Sequence, residues 1–253
     1  MILCCGEALI DMVPVMAGAV PAFAPHSGGA VFNTAIGLGR LGARVGFLCG
    51  MSRDLFGQRL AADLAASGVD SSFCPRVDRP TTLAFVTLRD GQAEYAFYDE
   101  ASALRMLSDA DLPELPDAVQ ALFFGGISLV AEPCGSTYEA FALRAAGRVL
   151  VMLDPNIRTG FIRDEAAYRA RLARMIAAAD VVKLSVEDLA WLMGPGDLMA
   201  QAQQVLGQGP AVVLITDGGA GAHLLRGSDH IHLPAPKVGV VDTVGAGDTF
   251  NAG

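Results

Sequence analysis

The sequence predicts an α/β fold built on a parallel sheet covered by helices. Short apolar runs bounded by turn residues recur along the chain, and segments of helical period separate them. Composition agrees: 253 residues with 52% hydrophobic and 18% charged side chains supply a large core and lie far from disordered chains. In order, residues 1–5 read as a strand, 30–41 as a helix closed by Gly42, 43–49 as a strand, and 55–66 as a helix stopped at Gly68. Residues 121–124 and 149–153 are predicted strands. The Ala- and Arg-rich segment 165–178 is a predicted helix before a strand at 181–184. A helix at 198–206, a buried strand at 211–216 and a last strand at 238–241 complete the series.

One block departs from this rhythm. Residues 82–88 and 93–98 flank Arg89-Asp90-Gly91-Gln92, and Asp-Gly between β-rich runs signals a hairpin. With residues 12–23 it forms a small β lid over one edge of the main sheet, an ordinary antiparallel edge of that sheet being the alternative. Neither an internal repeat nor a low-complexity linker interrupts the chain, so residues 1–253 read as a single domain.

Lys and Arg number 18 against 27 Asp and Glu, a formal charge of −9, which argues against a nucleic-acid footprint. Residues 12–39 carry no charge, yet Pro14, Pro21, Pro25 and Gly28-Gly29 break them up, so they are not a spanning helix. Glu7 and Asp11 stand where a signal peptide has basic residues. Five cysteines without a C-x-x-C pair read as small buried hydrophobes in a reducing compartment. The expected location is cytoplasmic.

Gly37-Leu38-Gly39-Arg40-Leu41-Gly42 satisfies G-x-G-x-x-G, but a helical stretch precedes it and a strand follows, the reverse of the dinucleotide-binding context. These glycines read as close helix packing and a helix stop. Asp242-Thr243-Val244-Gly245-Ala246-Gly247-Asp248-Thr249-Phe250 differs in kind. Its small residues let successive amides converge on an anion, and a helix starting there adds N-terminal donors. Asp248 at the mouth suits a base that takes the proton of an attacking hydroxyl, with a helix N-cap as the alternative. G-x-x-x-x-G-K-[ST] is absent, so this is not a P-loop.

The same segment resembles the C-terminal signature of the ribokinase-like, PfkB-type carbohydrate kinases, with fructokinases the nearest in look. The resemblance extends upstream through Gly6–Asp11, Gly28-Gly29-Ala30-Val31-Phe32-Asn33, Asp154-Pro155-Asn156-Ile157-Arg158 and Thr216-Asp217-Gly218-Gly219-Ala220-Gly221. It implies a three-layer α/β/α ribokinase-like core with a small β-sheet lid, and ATP-dependent phosphorylation of a sugar, fructose first. Asp248 is implied as the base, with the amides of Gly245, Ala246 and Gly247 beside it. Asp11, Gly28, Gly29, Asn33, Tyr98 and Arg158 are implied as sugar-binding. Lys183, Ser185, Thr216, Gly218 and Gly221 are implied around ATP, and Glu187 and Asp188 near Mg²⁺.

Each residue type suits its role. A carboxylate at a strand end, as at Asp11, needs partners that sugar hydroxyls supply, or else the turns of a loop. Asn33 offers donors and acceptors together. Arg158 fits a phosphate or an anionic sugar, with a surface ion pair as the alternative.

Two departures stand out. Lys183-Leu184-Ser185-Val186-Glu187-Asp188 replaces the N-x-x-E of many family members, and Phe97-Tyr98-Asp99-Glu100 lacks the Arg that some fructokinases place after the tyrosine. A kinase of 2-keto-3-deoxygluconate and a non-catalytic sugar-binding protein on the same scaffold remain alternatives. Family members often dimerise through their lids, which implies a homodimer. They also continue past the segment ending at Gly253, so the expectation is a fragment of a longer kinase, poorly active alone.

Overall fold

A computed structural model describes residues 1–89, 92–240 and 242–253. The amino-terminal half runs β1 (Ile2–Cys5), β2 (Leu9–Ala17), β3 (Val20–Gly28), α1 (Ala30–Arg40), β4 (Val45–Leu48), β5 (Met51–Ser52), α2 (Leu55–Ala66), β6 (Val69–Asp70), β7 (Arg76–Val77), β8 (Leu83–Arg89) and β9 (Gln92–Tyr98). The carboxy-terminal half runs β10 (Ala121–Gly125), α3 (Cys134–Ala145), β11 (Leu150–Asp154), α4 (Glu165–Ala178), β12 (Val181–Ser185), α5 (Val186–Met193), α6 (Leu198–Leu206), β13 (Val212–Asp217), β14 (Gly221–Arg226), β15 (Asp229–Leu233) and α7 (Ala246–Ala252).

Nine strands form one sheet in the order β15-β14-β13-β12-β11-β10-β1-β4-β6, parallel from β13 to β6 and antiparallel at β14 and β15. Successive strand residues point to opposite faces, and both faces are covered. Leu3 and Cys5 pack on one side with Tyr138 of α3 and Leu172 of α4. Cys4, between them, packs on the other side with Phe32 of α1 and Leu60 of α2. This is the three-layer arrangement expected from the alternating pattern. Its helices start where the sequence supplies caps: Asp54, Asp164 and Asp197 each accept an amide of the first turn of α2, α4 and α6, at 2.8–2.9 Å.

Strands β3-β2-β8-β9 form a second, separate sheet, and are not an edge of the main one. Its strands reach beyond the expected 12–23, back to Leu9 and on to Gly28. Prolines are tolerated there for a geometric reason. β3, with Pro21 and Pro25, is an edge strand, and Pro14 lies past the Ile10–Met12 stretch where β2 pairs with β8. β8 and β9 pair antiparallel in the register a tight hairpin requires, while the Asp90-Gly91 turn itself lies outside the described residues.

The expected strand at 238–241 is not found over its described part. Residues 234–240 have no regular structure and Val238 and Val240 are exposed, because the run, broken by Gly239, finds no strand to pair with among the described residues; Val241 lies outside them. Helices α3 and α5 and the β14–β15 hairpin were not anticipated. The five cysteines are all free and buried. Gly37 and Gly39 act in packing as expected, a Cβ at Gly39 running into the Ser67 carbonyl past the end of α2, and Gly42, at φ 85°, lies in open space just past α1 as its stop. Among the described residues no helix is long and apolar enough to cross a membrane.

Candidate active site

The parallel strands β1, β10, β11 and β12 end along one rim, and the segments leaving them meet α1 and α7 there. α1 begins at Gly29, whose φ of 111° no L side chain adopts readily and where a Cβ would sit 2.7 Å from the Glu7 carbonyl. Gly28, next to it, leaves no room for a Cβ against the Asp11 carboxylate. α7 begins at Gly245 in the left-handed region, φ 75°. Two glycine-dependent helix starts thereby face one cavity of about 330 Å³, lined by Asp11, Gly29, Asn33, Arg158, Gly245 and Asp248 among others.

Asp248 lies in the first turn of α7, 7% exposed. Asn33 Nδ2 donates to its Oδ2 at 2.8 Å and the Thr34 hydroxyl donates to its carbonyl at 3.2 Å, so α1 fastens α7. Its side chain makes no capping bond to the helix, which removes the N-cap alternative. Asp248 does not keep an ordinary carboxylic pKa: burial raises it, and Asp154 adds to the rise, against the Asn33 bond and the Lys183 and Arg158 charges. Such a carboxylate is a better proton acceptor than an exposed one. The amides beside it are not equivalent. That of Ala246 donates to the Thr243 carbonyl at 3.1 Å, and Ala246 lines the neighbouring cavity instead. The amides of Gly247 and Asp248, in the first turn, have no intrahelical acceptor.

Asp11 sits in β2 and its carboxylate makes no hydrogen bond among the described residues, so the satisfied-loop alternative is not what is found. Its pKa rises to about 6, chiefly through burial and also through Asp248, with His26 opposing. Arg158 has no carboxylate partner among the described residues and donates only to the Ile157 carbonyl at 3.2 Å.

Tyr98 is a correction. Side chains alternate along a strand, so Tyr95 and Phe97 line the cavity, stacked at 6.0 Å, while Tyr98 is 64% exposed on the opposite face against Phe85.

A second cavity of about 810 Å³ adjoins the first, lined by Ser185, Glu187, Thr216, Gly218, Gly221 and Phe250 among others. The two share Asn156, Arg158, Lys183 and Gly247. Behind this junction Lys183 Nζ lies 3.0 Å from Asp154 Oδ2, both buried, and Asn251 Nδ2 donates to the same oxygen at 2.7 Å. Asp188 is less free than its motif suggests. Its Oδ1 accepts the Ile157 amide at 2.8 Å and its Oδ2 the Ser185 amide at 2.9 Å, closing a capping box with Ser185. Glu187 is exposed at the cavity edge. Among the described residues no three ligating side chains converge on a metal.

Glu7 was missed by sequence reasoning. It is 2% exposed, lines the smaller cavity, and accepts the Ala30 amide at 2.9 Å and the Ser128 amide at 3.2 Å, tying the start of α1 to the segment after β10. Burial raises its pKa against these bonds. A carboxylate just past a buried strand was the available signal. Asn156, at φ 43°, is the second such residue.

A polyol-sized cavity with a buried carboxylate, opening at shared walls into a nucleotide-sized one, defines a phosphotransferase acting on a small hydroxylic substrate. Residues 1–253 match the model of the pfkB family carbohydrate kinases, and the chain belongs to that family. It is 52% identical over 255 residues to a fructokinase of Rhizobium leguminosarum bv. trifolii, covering 100% of this chain and 78% of that protein. It is 36% identical over 254 residues to a fructokinase of Klebsiella pneumoniae, covering 98% and 81%. Among solved structures, fructokinase with bound ATP from Xylella fastidiosa aligns with a TM-score of 0.90 at 30% identity, covering 100% of this chain and 79% of that one. Aminoimidazole riboside kinase from Salmonella enterica aligns with 0.87 at 27%, covering 99% and 82%. The chain is therefore an ATP-dependent carbohydrate kinase of ribokinase-like fold.

Proposed function

We propose that this kinase phosphorylates fructose, with Asp248 as the general base. The observation that carries the reading is the junction: Asn156, Arg158, Lys183 and Gly247 line both cavities, and Asp248 faces the smaller one at that point. The sugar lies against Asp11, Gly29 and Asn33, its ring over Tyr95 and Phe97. One primary hydroxyl meets Asp248, whose carboxylate takes its proton as the oxygen attacks the γ-phosphorus. The charge then developing on the transferred group faces the Gly247 and Asp248 amides and the Arg158 guanidinium. Asn33 acts in two ways, orienting Asp248 through Nδ2 and leaving Oδ1 to accept a sugar hydroxyl.

ATP occupies the larger cavity, its triphosphate toward Lys183, Ser185 and Thr216 and its base toward Gly218, Gly221 and Phe250. The donor set fits Mg²⁺ only as an ion carried by the nucleotide, since Mg²⁺ keeps waters and substrate phosphates as ligands with one or two carboxylates. Glu187 is the free carboxylate for that purpose, and Asp188 orients the turn. When bound, the ion neutralises charge on the phosphates.

The four-stranded sheet serves as the lid, and the apolar side chains it exposes, Met16, Val20 and Phe23 among them, favour a homodimer through it. Five free buried thiols favour a cytoplasmic location. An anionic sugar such as 2-keto-3-deoxygluconate is less well served, because Arg158 stands at the phosphate junction and the sugar cavity holds the Asp11 carboxylate, unpartnered among the described residues. The test is ADP release over a panel of hexoses, ribosides and keto-acids. Fructose is expected to give the highest kcat/KM; a keto-acid ahead of it would overturn the assignment, and no ADP release with any sugar would remove the catalytic reading.

A further inference from the structure

Three of the chain's four histidines, His223, His230 and His232, fall on the β14–β15 hairpin at the edge of the main sheet. The register pairs His223 with His232 and Leu225 with His230, which puts all three imidazoles on one face. The opposite face, Ala222, Leu224, Ile231 and Leu233, is an apolar wall of the nucleotide cavity, which His223 also borders. The period-2 pattern therefore turns the apolar side chains and the imidazoles to opposite faces, and the proposed chemistry of the kinase uses none of the three histidines.

The imidazoles are close. His223 stacks on His232 at 4.5 Å and on His230 at 5.2 Å between centroids, and His223 Nδ1 lies 3.0 Å from His230 Nε2. Two nitrogens bound to one tetrahedral Zn²⁺ at ~2.0–2.1 Å are ~3.3 Å apart, within a few tenths of that separation. His232 Nε2 is turned to the Ala220 carbonyl at 3.0 Å, so as they stand no three ligating side chains among the described residues converge on one point. His230 and His232 are exposed and His223 is half-buried, so turning the His232 ring off that carbonyl disturbs only its stacking on His223.

We propose that His223, His230 and His232 form a binding site for a borderline divalent transition cation of the Zn²⁺ class, clipping the edge strand β15 to β14 on the face behind the nucleotide wall. A His-x-His pair on one strand with a third histidine across the antiparallel neighbour supplies three nitrogen ligands and leaves the fourth position to water. Imidazole suits Zn²⁺, Cu²⁺ and Ni²⁺, and does not suit the Mg²⁺ that accompanies ATP.

The test is calorimetric titration of Zn²⁺ into the chelator-treated chain, without nucleotide because ATP itself binds the ion. One saturable site is expected, weakened at least ~10-fold in both His223→Ala and His232→Ala, the scale on which even outer partners of a bound histidine act. His26→Ala, in the other sheet, leaves it unchanged. Zn²⁺ should also raise the Tm of the unsubstituted chain and not that of His232→Ala, whose metal-free Tm stays as before because the residue is exposed. Absence of saturable binding, or an affinity unchanged from that of the unsubstituted chain in either histidine variant, overturns the proposal; should His223→Ala fail to fold, the exposed His230→Ala takes its place.

Discussion

Replacing Asp11 by Asn should make the protein more stable and a poorer sugar binder. The carboxylate faces the sugar cavity without a hydrogen-bond partner among the described residues, and its pKa stands at about 6 against an ordinary 3.8. That gap corresponds to ~3 kcal/mol at ~1.36 kcal/mol per pH unit. Because Asp11 is only half-buried, solvent screening reduces this to about 1–2 kcal/mol. The direction follows from linkage. Between pH 3.8 and about 6 the folded state binds more protons at this site than the unfolded state, so stability falls as pH rises through that window. At pH 7 the ionised group is a net cost that Asn does not carry.

Urea denaturation of both forms at pH 7 and near pH 4 separates this from other groups. Asp11→Asn should be more stable by about 1–2 kcal/mol at pH 7, with the advantage fading at the lower pH. Loss of a charged acceptor, about 1.5–3 kcal/mol, should raise the sugar KM by ~10–100-fold. A variant less stable at pH 7, or a stability difference independent of pH, refutes the reasoning.

Three further substitutions probe the surrounding architecture. Glu7→Gln puts an amide NH₂ against one of two backbone N–H groups and should lower stability by about 1–3 kcal/mol in urea titrations. Lys183→Met leaves Asp154 buried without its cation and should cost about 3–5 kcal/mol, measurable as a fall in Tm, with much of it regained in Lys183→Met/Asp154→Leu. Phe97→Ala should raise the sugar KM at least ~10-fold through lost ring contact, whereas Tyr98→Ala, on the far face, should leave KM within about twofold.

Much of the fold was legible because a sheet buried on both faces demands continuous apolar strands. Leu55–Ala66, Glu165–Ala178 and Leu198–Leu206 occupy the predicted positions, their ends marked by Asp or Gly. What escaped has local reasons. α3 opens on Cys134-Gly135-Ser136 after a proline, with none of the usual starting residues at its cap. α5 has only eight residues, and the Ser185–Asp188 pair that caps it coincides with the residues the motif assigns to ATP and Mg²⁺. The Gly227-Ser228 turn was an available two-residue hairpin signal between β14 and β15.

At the site, the motifs named residues that do share two adjoining cavities, but spacing along the chain does not reveal which atoms are already engaged. Asp188 and the Ala246 amide are held by backbone partners, and Asn33 bonds to Asp248 as well as facing the cavity. Tyr98 differs from Tyr95 and Phe97 only by the parity of a strand, which a motif written in one line does not carry. Glu7 is bound to amides far off in sequence, at Ala30 and Ser128.

The central claim is that the buried carboxylate of Asp248 removes the proton from the attacking sugar hydroxyl. It is tested most directly by comparing Asp248→Asn with the unsubstituted kinase in kcat for fructose and in fructose affinity by calorimetry. Asn keeps the shape and an acceptor for Asn33 but accepts no proton, so kcat should fall by ~10²–10⁴ with affinity nearly unchanged. An unchanged kcat, or a loss confined to affinity, would contradict it.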